Sequence, residues 1–243
     1  MLGGEGNPAR VDVVHAPPRA AAGLERLLGP EERDRLARLR READRAGYAT
    51  AHALLRLVAA AWTDRAPDAL VLGATCLTCG GPHGKPHLVG VDPALHVSLS
   101  RSAGTVVVVA VTRLGPVGVD AEVGSAVDFE GFDAVALAPG EGGAVADLPD
   151  NRRSSGRAVL WARKEAVLKA TGHGLMAAPS DVEVSAPFAP PELVAWHVDA
   201  SGVGPVQLAD LALGAGLAGA VAVVGGAAPD VRLVDGSSLL DGV

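Results

Sequence analysis

The sequence predicts an α+β protein, a pseudo-twofold monomer of two similar α/β halves with the ligand site at their interface. Apolar, strand-like runs alternate with segments of helical spacing in both halves of the chain. The second half repeats the first in the same order, at an offset of about 109 residues. With 243 residues, 49% of them hydrophobic and 20% charged, the chain is long enough to bury the core that this fold needs.

The repeat is low in identity but consistent in order. It predicts an N-terminal half over residues 1–114 and a C-terminal half over residues 115–225. From Gly225 onward Gly, Pro and Ser become frequent, so residues 226–243 are predicted to be a flexible tail. The aligned pairs are Arg10 with Val119, Pro30 with Pro139, and His52 with Trp161.

The elements follow from periodicity and from turn residues. In the first half, residues 10–16 read as a strand ended by two prolines, and Pro30 marks an early helix position. Helical spacing covers residues 20–28 and 30–46, followed by a long Ala- and Leu-rich helix over about 46–62. The further predicted strands are residues 105–112, the segment after Gly115-Pro116, and residues 181–185, 194–198, 206–213 and 217–224.

Composition excludes several classes of function. The net charge of -7 and the pI near 5.5 repel polyanions, so nucleic acid is not an expected partner. No apolar run approaches the ~18 residues needed to span a bilayer, and the N-terminus lacks a signal-peptide layout. We therefore expect a cytoplasmic protein without a membrane partner. The two cysteines exclude a disulfide-stapled scaffold.

Two acidic motifs carry the chemistry. Asp120 and Glu122 follow a valine-rich strand and are two residues apart, so their carboxylates point to one face. Trp161, Glu165 and Lys169 are four residues apart on a predicted helix and share one stripe. The indole indicates that this stripe is covered by protein or ligand. Three carboxylates, Asp120, Glu122 and Glu165, with a lysine beside them suit Mg2+ that also holds a polyphosphate.

These residues resemble a known family. Gly118-Val-Asp120-Ala-Glu122, followed about forty residues later by Trp161-x-x-Lys164-Glu165-x-x-x-Lys169, is similar to the signature pair of the Sfp-type 4'-phosphopantetheinyl transferases. Gly84-Lys85-Pro86 and the segment around Ser100 and Arg101 are weaker matches. Four motifs in order, over roughly residues 30 to 175, are more specific than any one alone.

The resemblance implies transfer of 4'-phosphopantetheine from coenzyme A to a serine of an apo acyl or peptidyl carrier protein, releasing adenosine 3',5'-bisphosphate. It implies that Asp120, Glu122 and Glu165 hold Mg2+ and that Lys169 stabilises or protonates the leaving phosphate. Glu165 is the candidate general base, directly or through a metal-bound water. The sequence does not identify the carrier protein or its pathway. Two halves in one chain suggest a monomeric enzyme of secondary metabolism that is tolerant of its carrier.

The coenzyme A contacts depart from the family pattern. The resemblance places Lys85 on a coenzyme A phosphate, and Ser100 and Arg101 on the 3'-phosphate, where histidine is usual in place of Arg101. Arginine is always charged, so binding should lose pH sensitivity. Gly47 stands where the family often has arginine, so that contact is either absent or supplied by Arg45. The arginine run from Arg33 to Arg45 is otherwise a solvated helix face, with Arg35 as a further candidate.

A zinc site is a weaker hypothesis. Cys76, Cys79, His83 and His87 have spacing that two thiolates and two imidazoles could use to hold Zn2+. The short gaps and the glycine-rich loop favour a simple turn with reduced thiols.

Two other functions stay open. A catalytically silent coenzyme A- or carrier-binding module of the same fold is suggested by Gly47 and Arg101, whereas the persistence of the carboxylates and lysines argues against it. A Mg2+-dependent phosphohydrolase would use water as acceptor, and the sequence has no matching water-activating histidine or two-metal acid cluster.

Overall fold

The structure, a computed structural model, has the mixed α+β composition that the sequence predicts. It describes residues 2–3, 7–75, 80–81, 84–102, 104–174, 177–198 and 203–243. The helices are α1 (Pro30–Arg38), α2 (Glu42–Thr63), α3 (Phe132–Ala136), α4 (Glu141–Ala146), α5 (Asp150–Thr171) and α6 (Ser237–Asp241). The strands are β1 (Arg10–Ala16), β2 (Leu72–Gly73), β3 (His87–Leu88), β4 (His96–Ser102), β5 (Val106–Thr112), β6 (Val117–Val123), β7 (Val182–Val184), β8 (Leu193–Trp196), β9 (Val206–Asp210), β10 (Leu217–Val224) and β11 (Asp230–Asp235).

The chain divides into two compact units. Unit 1 comprises Met1–Gly115 and Pro229–Val243, and unit 2 comprises Pro116–Ala228. Unit 2 is therefore one continuous stretch, whereas unit 1 is made of two stretches that flank it in the sequence. Each unit contains one helix of 22 residues, α2 in unit 1 and α5 in unit 2. The pseudo-twofold relation between the halves stays a prediction.

The main sheet of unit 1 has four strands and is covered by the long helix α2, and β2 and β3 form a separate two-stranded sheet. The strand order is β11-β1-β5-β4, with β5 antiparallel to both β1 and β4. All seven residues of β5 are buried, which explains why its sequence is an apolar run instead of an alternating pattern. Leu54, Leu55 and Val58 of α2 are fully buried in the same core as Val107 and Val109. This packing fixes β4, which carries two of the predicted ligand contacts.

The helical spacing over residues 30–46 belongs to two helices. The backbone of Leu39 is extended, so α1 ends at Arg38, and α2 begins at Glu42. Separate start signals explain the break. In α1, Glu32 accepts a hydrogen bond from the backbone N–H of Gly29 at 2.5 Å, which caps the first turn. In α2, Glu42 and Asp44 lie in the first turn, where the helix dipole favours negative charge.

The predicted flexible tail over residues 226–243 is wrong for most of its length. Asp230–Asp235 forms β11, which pairs in parallel with β1, and Leu240 of α6 is buried in the unit 1 core. The free edge of β1 supplies backbone hydrogen-bonding groups that the returning segment satisfies. Arg19 further fixes α6 through an ion pair with Asp241. The Gly- and Pro-rich residues before β11 are the turn into the strand.

The main sheet of unit 2 has three antiparallel strands on which α5 packs, and β7 and β8 form a separate two-stranded sheet. The strand order is β6-β10-β9, with Asp120 opposite Ala220 in the β6–β10 pairing. Val117, Val119 and Ala121 of β6 are fully buried. In the part of the chain that the structure describes, no helix is long and apolar enough to cross a membrane.

Candidate functional site

The centre of the candidate site is the contact between Asp120 of β6 and Lys169 of α5. Nζ of Lys169 donates to Oδ1 of Asp120 at 2.6 Å and to the backbone carbonyl of Val119 at 3.2 Å. The Asp120 side chain is 3% exposed and that of Lys169 is 29% exposed. A carboxylate buried this deeply needs a cationic or hydrogen-bonding partner, and the ammonium supplies one.

Gly118 explains why the helix reaches the strand at this point. A Cβ atom on Gly118 would lie 2.0 Å from the carbonyl oxygen of Ala166 and 2.3 Å from the backbone nitrogen of Ala170. Both distances are to backbone atoms, which cannot move away as a side chain can. Only glycine allows this approach, so the residue that opens the first motif also sets the distance between Asp120 and Lys169.

Glu165 lies one helical turn before Lys169 on the same stripe of α5 and is half-buried. Burial raises the pKa of its carboxyl group; the charge of Lys169 opposes this rise, and the negative charge of Asp120 adds to it. Glu165 therefore acts electrostatically on both members of the pair. We call Asp120, Glu165 and Lys169 the Asp120 cluster.

The structure does not gather the predicted three-carboxylate set. Among the described residues, no three His, Cys, Asp or Glu side chains form a group that could hold a metal ion. Asp120, Glu122 and Glu165 all belong to the described residues. Glu122 lies near the end of β6, opposite Ala218 of β10, and is half-exposed.

Asp120 and Glu165 nevertheless fit Mg2+ as a donor set. In proteins Mg2+ is commonly held by one or two carboxylates, and waters and substrate phosphates complete its octahedron. The ammonium of Lys169, 2.6 Å from Oδ1, already places a positive charge against Asp120 at contact distance. Glu165, whose pKa Asp120 helps to raise, would be relieved of that repulsion by a cation beside it.

The sequence predicted that Trp161 is covered by protein or by a ligand, and in the structure protein covers it. Its ring lies 5.5 Å from that of Phe132 in α3, measured between centroids. The indole therefore anchors α3 to α5 on the stripe that leads to Glu165.

Two neighbouring residues in the helix motif, Lys164 and Arg163, form ion pairs that hold other elements against α5, and the motif itself did not predict these pairs. Lys164 is fully buried and forms an ion pair of 2.5 Å with Glu141 of α4. Arg163, also fully buried, donates to both carboxylate oxygens of Asp210 at 2.8 and 2.6 Å. The only sequence signal was the run of adjacent charges, Arg163, Lys164 and Glu165, within the more apolar second half of the helix. Together these pairs hold α4 and β9 against the helix that carries Glu165 and Lys169.

In unit 1, Lys85 lies in the loop before β3. Burial lowers the pKa of Lys85 to about 8. His96, the first residue of β4, is close enough to respond: burial, and then the charge of Lys85, lower the pKa of this imidazole. The Gly84 N–H donates to the carbonyl of Ala74 at 2.5 Å and so closes the loop that presents the lysine. An anion that binds beside a partly desolvated lysine favours its charged form and so raises its pKa.

Ser100 and Arg101 are consecutive residues of β4, so their side chains point to opposite faces. Ser100 is buried, whereas Arg101 is exposed and its guanidinium carbon lies 5.6 Å from the centre of the Tyr48 ring. A Cβ on Gly47 would meet Cδ of Arg101 at 3.7 Å, an ordinary contact. The Arg101 side chain thus runs past the bare backbone at Gly47.

Arg45 has other partners. Its guanidinium donates to the carbonyl of Leu36 at 3.1 Å and pairs with Glu25 at 3.4 Å and Glu42 at 3.8 Å. These contacts tie α2 to α1 and to the turn before it. Arg35, the other candidate from the arginine run, acts electrostatically on both Arg101 and Tyr48.

The zinc hypothesis stays a prediction. Cys76, Cys79 and His83 lie outside the described residues, and His87 is the first residue of β3.

Comparison with known proteins gives one family match. Residues 116–209, which include the whole Asp120 cluster, match the 4'-phosphopantetheinyl transferase superfamily. No curated protein matches the chain. Among solved structures, the chain is similar to a holo-ACP-synthase from Plasmodium yoelii at 18% sequence identity and a TM-score of 0.37. The match covers 46% of this chain and 94% of that one.

Proposed function

We propose that this protein transfers the 4'-phosphopantetheine group of coenzyme A to a serine of an apo acyl or peptidyl carrier protein and releases adenosine 3',5'-bisphosphate. The observation that carries the proposal is the Asp120 cluster, which lies inside the stretch that matches the 4'-phosphopantetheinyl transferase superfamily. Phosphoryl-group transfer depends mostly on positioning and on charge stabilisation, and two carboxylates beside a lysine supply both.

Lys169 is the residue proposed to act on the departing phosphate. Asp120 and the Val119 carbonyl fix its ammonium by two hydrogen bonds. Negative charge grows on the leaving oxygen as its bond to phosphorus lengthens, and the ammonium stabilises that charge or gives up a proton to it.

Glu165 is the proposed general base. Its raised pKa makes it a better proton acceptor than an ordinary glutamate at the pH of the cell. The carboxylate takes the proton from the serine hydroxyl of the carrier, directly or through a water. The serine oxygen then forms a bond to the β-phosphorus of coenzyme A, and the bond from that phosphorus to the bridging oxygen breaks.

Mg2+ belongs to the proposal as the ion that Asp120 and Glu165 would hold, with Glu122 as the third predicted ligand. When bound, it would neutralise the pyrophosphate charge and orient the phosphate for in-line attack.

In unit 1, Lys85, Ser100 and Arg101 are proposed to contact the phosphates of the coenzyme A nucleotide. A phosphate beside Lys85 would favour its charged form further, because the anion offsets the cost of burial. Arg101 presents a planar fork of donors, which suits a phosphate with two acceptor oxygens. Arg45, already paired with two glutamates, is assigned the supporting role of holding α1 and α2 together.

The test is a transfer assay. The purified protein is mixed with coenzyme A, Mg2+ and several apo carrier proteins, and each carrier is weighed by mass spectrometry. We expect one phosphopantetheinyl addition to at least one carrier. Asp120→Ala and Glu165→Ala should reduce the rate by at least about a hundredfold. Glu192→Ala, an exposed acidic residue of the same unit, is the matched control and should leave the rate unchanged.

A silent coenzyme A-binding module remains the second candidate, because the three predicted metal ligands are not gathered into one group among the described residues. It predicts that coenzyme A binds while every carrier keeps its apo mass. If the Asp120 and Glu165 variants transferred as fast as the unaltered protein, the assigned site would be wrong.

A further inference from the structure

Arg101 rests on an aromatic ring. The guanidinium carbon lies 5.6 Å from the centre of the Tyr48 ring, within the range of a cation–π contact. Nearby charges act on it in opposite directions: Asp44 favours its charged form, and Arg35 opposes it. A cation–π contact uses the face of the guanidinium and leaves its planar fork of donors for an anion. A carboxylate partner would occupy those donors instead.

Tyr48 is itself fixed by a second ring. Its centroid lies 4.1 Å from that of His52, with an angle of 28° between the planes. The two residues are four positions apart on α2, so they lie on one face of the helix. The stack limits the rotation of the tyrosine ring and therefore the position of the surface that Arg101 contacts.

His52 is fixed by a buried carboxylate. Nδ1 of His52 lies 2.5 Å from Oε1 of Glu32, and the other oxygen of Glu32 accepts from Arg56 at 2.5 Å. Burial alone would raise the pKa of Glu32. Hydrogen bonds from His52 and Gly29, together with the charges of His52 and Arg56, outweigh burial and lower this pKa to about 2. Glu32 is therefore an acceptor at physiological pH, so Nδ1 of His52 carries a proton and donates it.

We propose that Tyr48 is a positioning residue whose ring, supported by His52 and Glu32, holds the Arg101 guanidinium in place for the 3'-phosphate of the nucleotide. This inference rests on the proposed function, which places Arg101 on that phosphate. The network runs from α1 through α2 to β4, so it connects the capped start of one helix to a ligand-facing side chain on a strand.

The experiment compares two probes that differ only in the phosphate concerned. Binding of coenzyme A and of 3'-dephospho-coenzyme A is measured by titration calorimetry, and the ratio of the two dissociation constants gives the preference for the 3'-phosphate. Arg101→Gln should abolish the preference. Tyr48→Ala should lower it by about two- to fivefold, because the exposed guanidinium then samples other positions. Tyr48→Phe keeps the ring and should keep the preference.

Controls separate this role from a structural one. The thermal unfolding midpoint of each variant is recorded, and Tyr48→Leu replaces Tyr48→Ala if the latter does not fold, since leucine fills space without an aromatic face. The inference is overturned if Arg101→Gln loses the preference while the Ala and Leu variants of Tyr48 keep it, or if they weaken both probes equally. If the unaltered protein binds neither probe, or binds both equally, the assignment of Arg101 to the 3'-phosphate fails first and the role of Tyr48 with it.

Discussion

At the scale of single residues, the contact between Asp120 and Lys169 combines stability with chemistry. A buried carboxylate is costly without a partner, and the ammonium that compensates it is the same group that is proposed to act on the leaving phosphate. The pair is asymmetric, because Asp120 is almost fully buried and Lys169 is partly exposed. Lys169 can therefore serve a ligand on one side while it stabilises the strand on the other.

This asymmetry predicts a coupling between the two residues. Lys169→Met leaves the Asp120 carboxylate buried without its ammonium and should lower the free energy of unfolding by about 1–3 kcal/mol. This is less than for a fully buried pair, because Lys169 is partly solvated. Asp120→Asn added to Lys169→Met should restore part of the loss. Urea unfolding of the two single variants and the double variant measures the coupling, and strictly additive losses would refute it.

Lys85 predicts a pH dependence. Its pKa is lowered to about 8 in the folded protein from an ordinary value of 10.5, so folding disfavours its charged form. The unfolded chain then binds more protons between these values, and this group makes stability rise as pH increases from about 8 to 10.5. Below about pH 8 Lys85 is charged in both the folded and the unfolded state, so it lowers the free energy of unfolding by an amount that no longer changes with pH.

We therefore expect Lys85→Met to unfold at higher urea concentration at pH 7, with a gain of about 1–3 kcal/mol that shrinks toward zero near pH 10.5. Arg40→Met, at a position outside the core, is the control for the new side chain and should show no such trend. A Lys85→Met protein that is less stable at pH 7, or that gains equally at both pH values, would contradict the assignment.

At the scale of elements, α5 and β6 form the part of the fold on which the candidate site depends. Their contact is set by Gly118, and it is reinforced on other sides of the helix by Lys164 with Glu141 and by Arg163 with Asp210. The helix is therefore fixed against a strand, a short helix and a second strand, so that Glu165 and Lys169 have little freedom to move.

Gly118→Ala should destabilise unit 2 by about 3 kcal/mol or more, since the added methyl group meets two backbone atoms of α5. Gly142→Ala is the matched control: it lies in α4, its added methyl group would meet no atom within 4 Å beyond the backbone of its own helix, and it should be neutral or stabilising by ~0.5–1 kcal/mol. Thermal and urea unfolding of the two variants tests the contrast. Equal effects would mean that helix and strand can separate without cost.

The sequence predicted the positions of most strands well, but it did not predict which distant residues and strands contact each other. Apolar runs and turn residues located β1, β5, β6 and β10 closely, because these patterns are local. The partners of Arg163 and Lys164 could not be predicted, since Asp210 and Glu141 approach them only after the chain has folded. For the same reason β11 was missed: whether Val231 and Leu233 form a strand depends on the open edge of β1, which lies far away in the sequence.

The candidate site was predicted in the same uneven way. Asp120 and Lys169 do meet, because a motif on a strand and a motif on the next long helix are brought together by Gly118. Arg45 stays a predicted ligand contact; the structure adds its ion pairs with Glu25 and Glu42, which the sequence did not predict. Tyr48 was missed because a tyrosine within a helix gives no sign of which cation it will support.

At the scale of the whole molecule, unit 1 depends on a segment that follows unit 2 in the chain. β11 covers the edge of β1, and α6 contributes Leu240 to the core. The hydrogen bonds of β1 are therefore shared between strands from distant parts of the sequence.

Removal of residues 229–243 should destabilise unit 1 more than unit 2. Hydrogen exchange should show faster exchange in β1, whose edge would be open to solvent, while β6 keeps its protection from β10 and α5. A chain that lacks only residues 242–243 is the control, because it keeps β11 and α6. Unchanged protection in β1 after the longer deletion would show that β11 is dispensable.

The order of these segments also matters during synthesis. As the nascent chain leaves the ribosome, Pro116–Ala228 is complete before β11 has been made, so unit 2 can fold while unit 1 still lacks its edge strand. The first 115 residues must therefore wait, with one side of β1 uncovered, until the final stretch emerges. Chaperones that bind exposed strand edges would find their target in this interval, and slowing translation just before residue 229 should lengthen it.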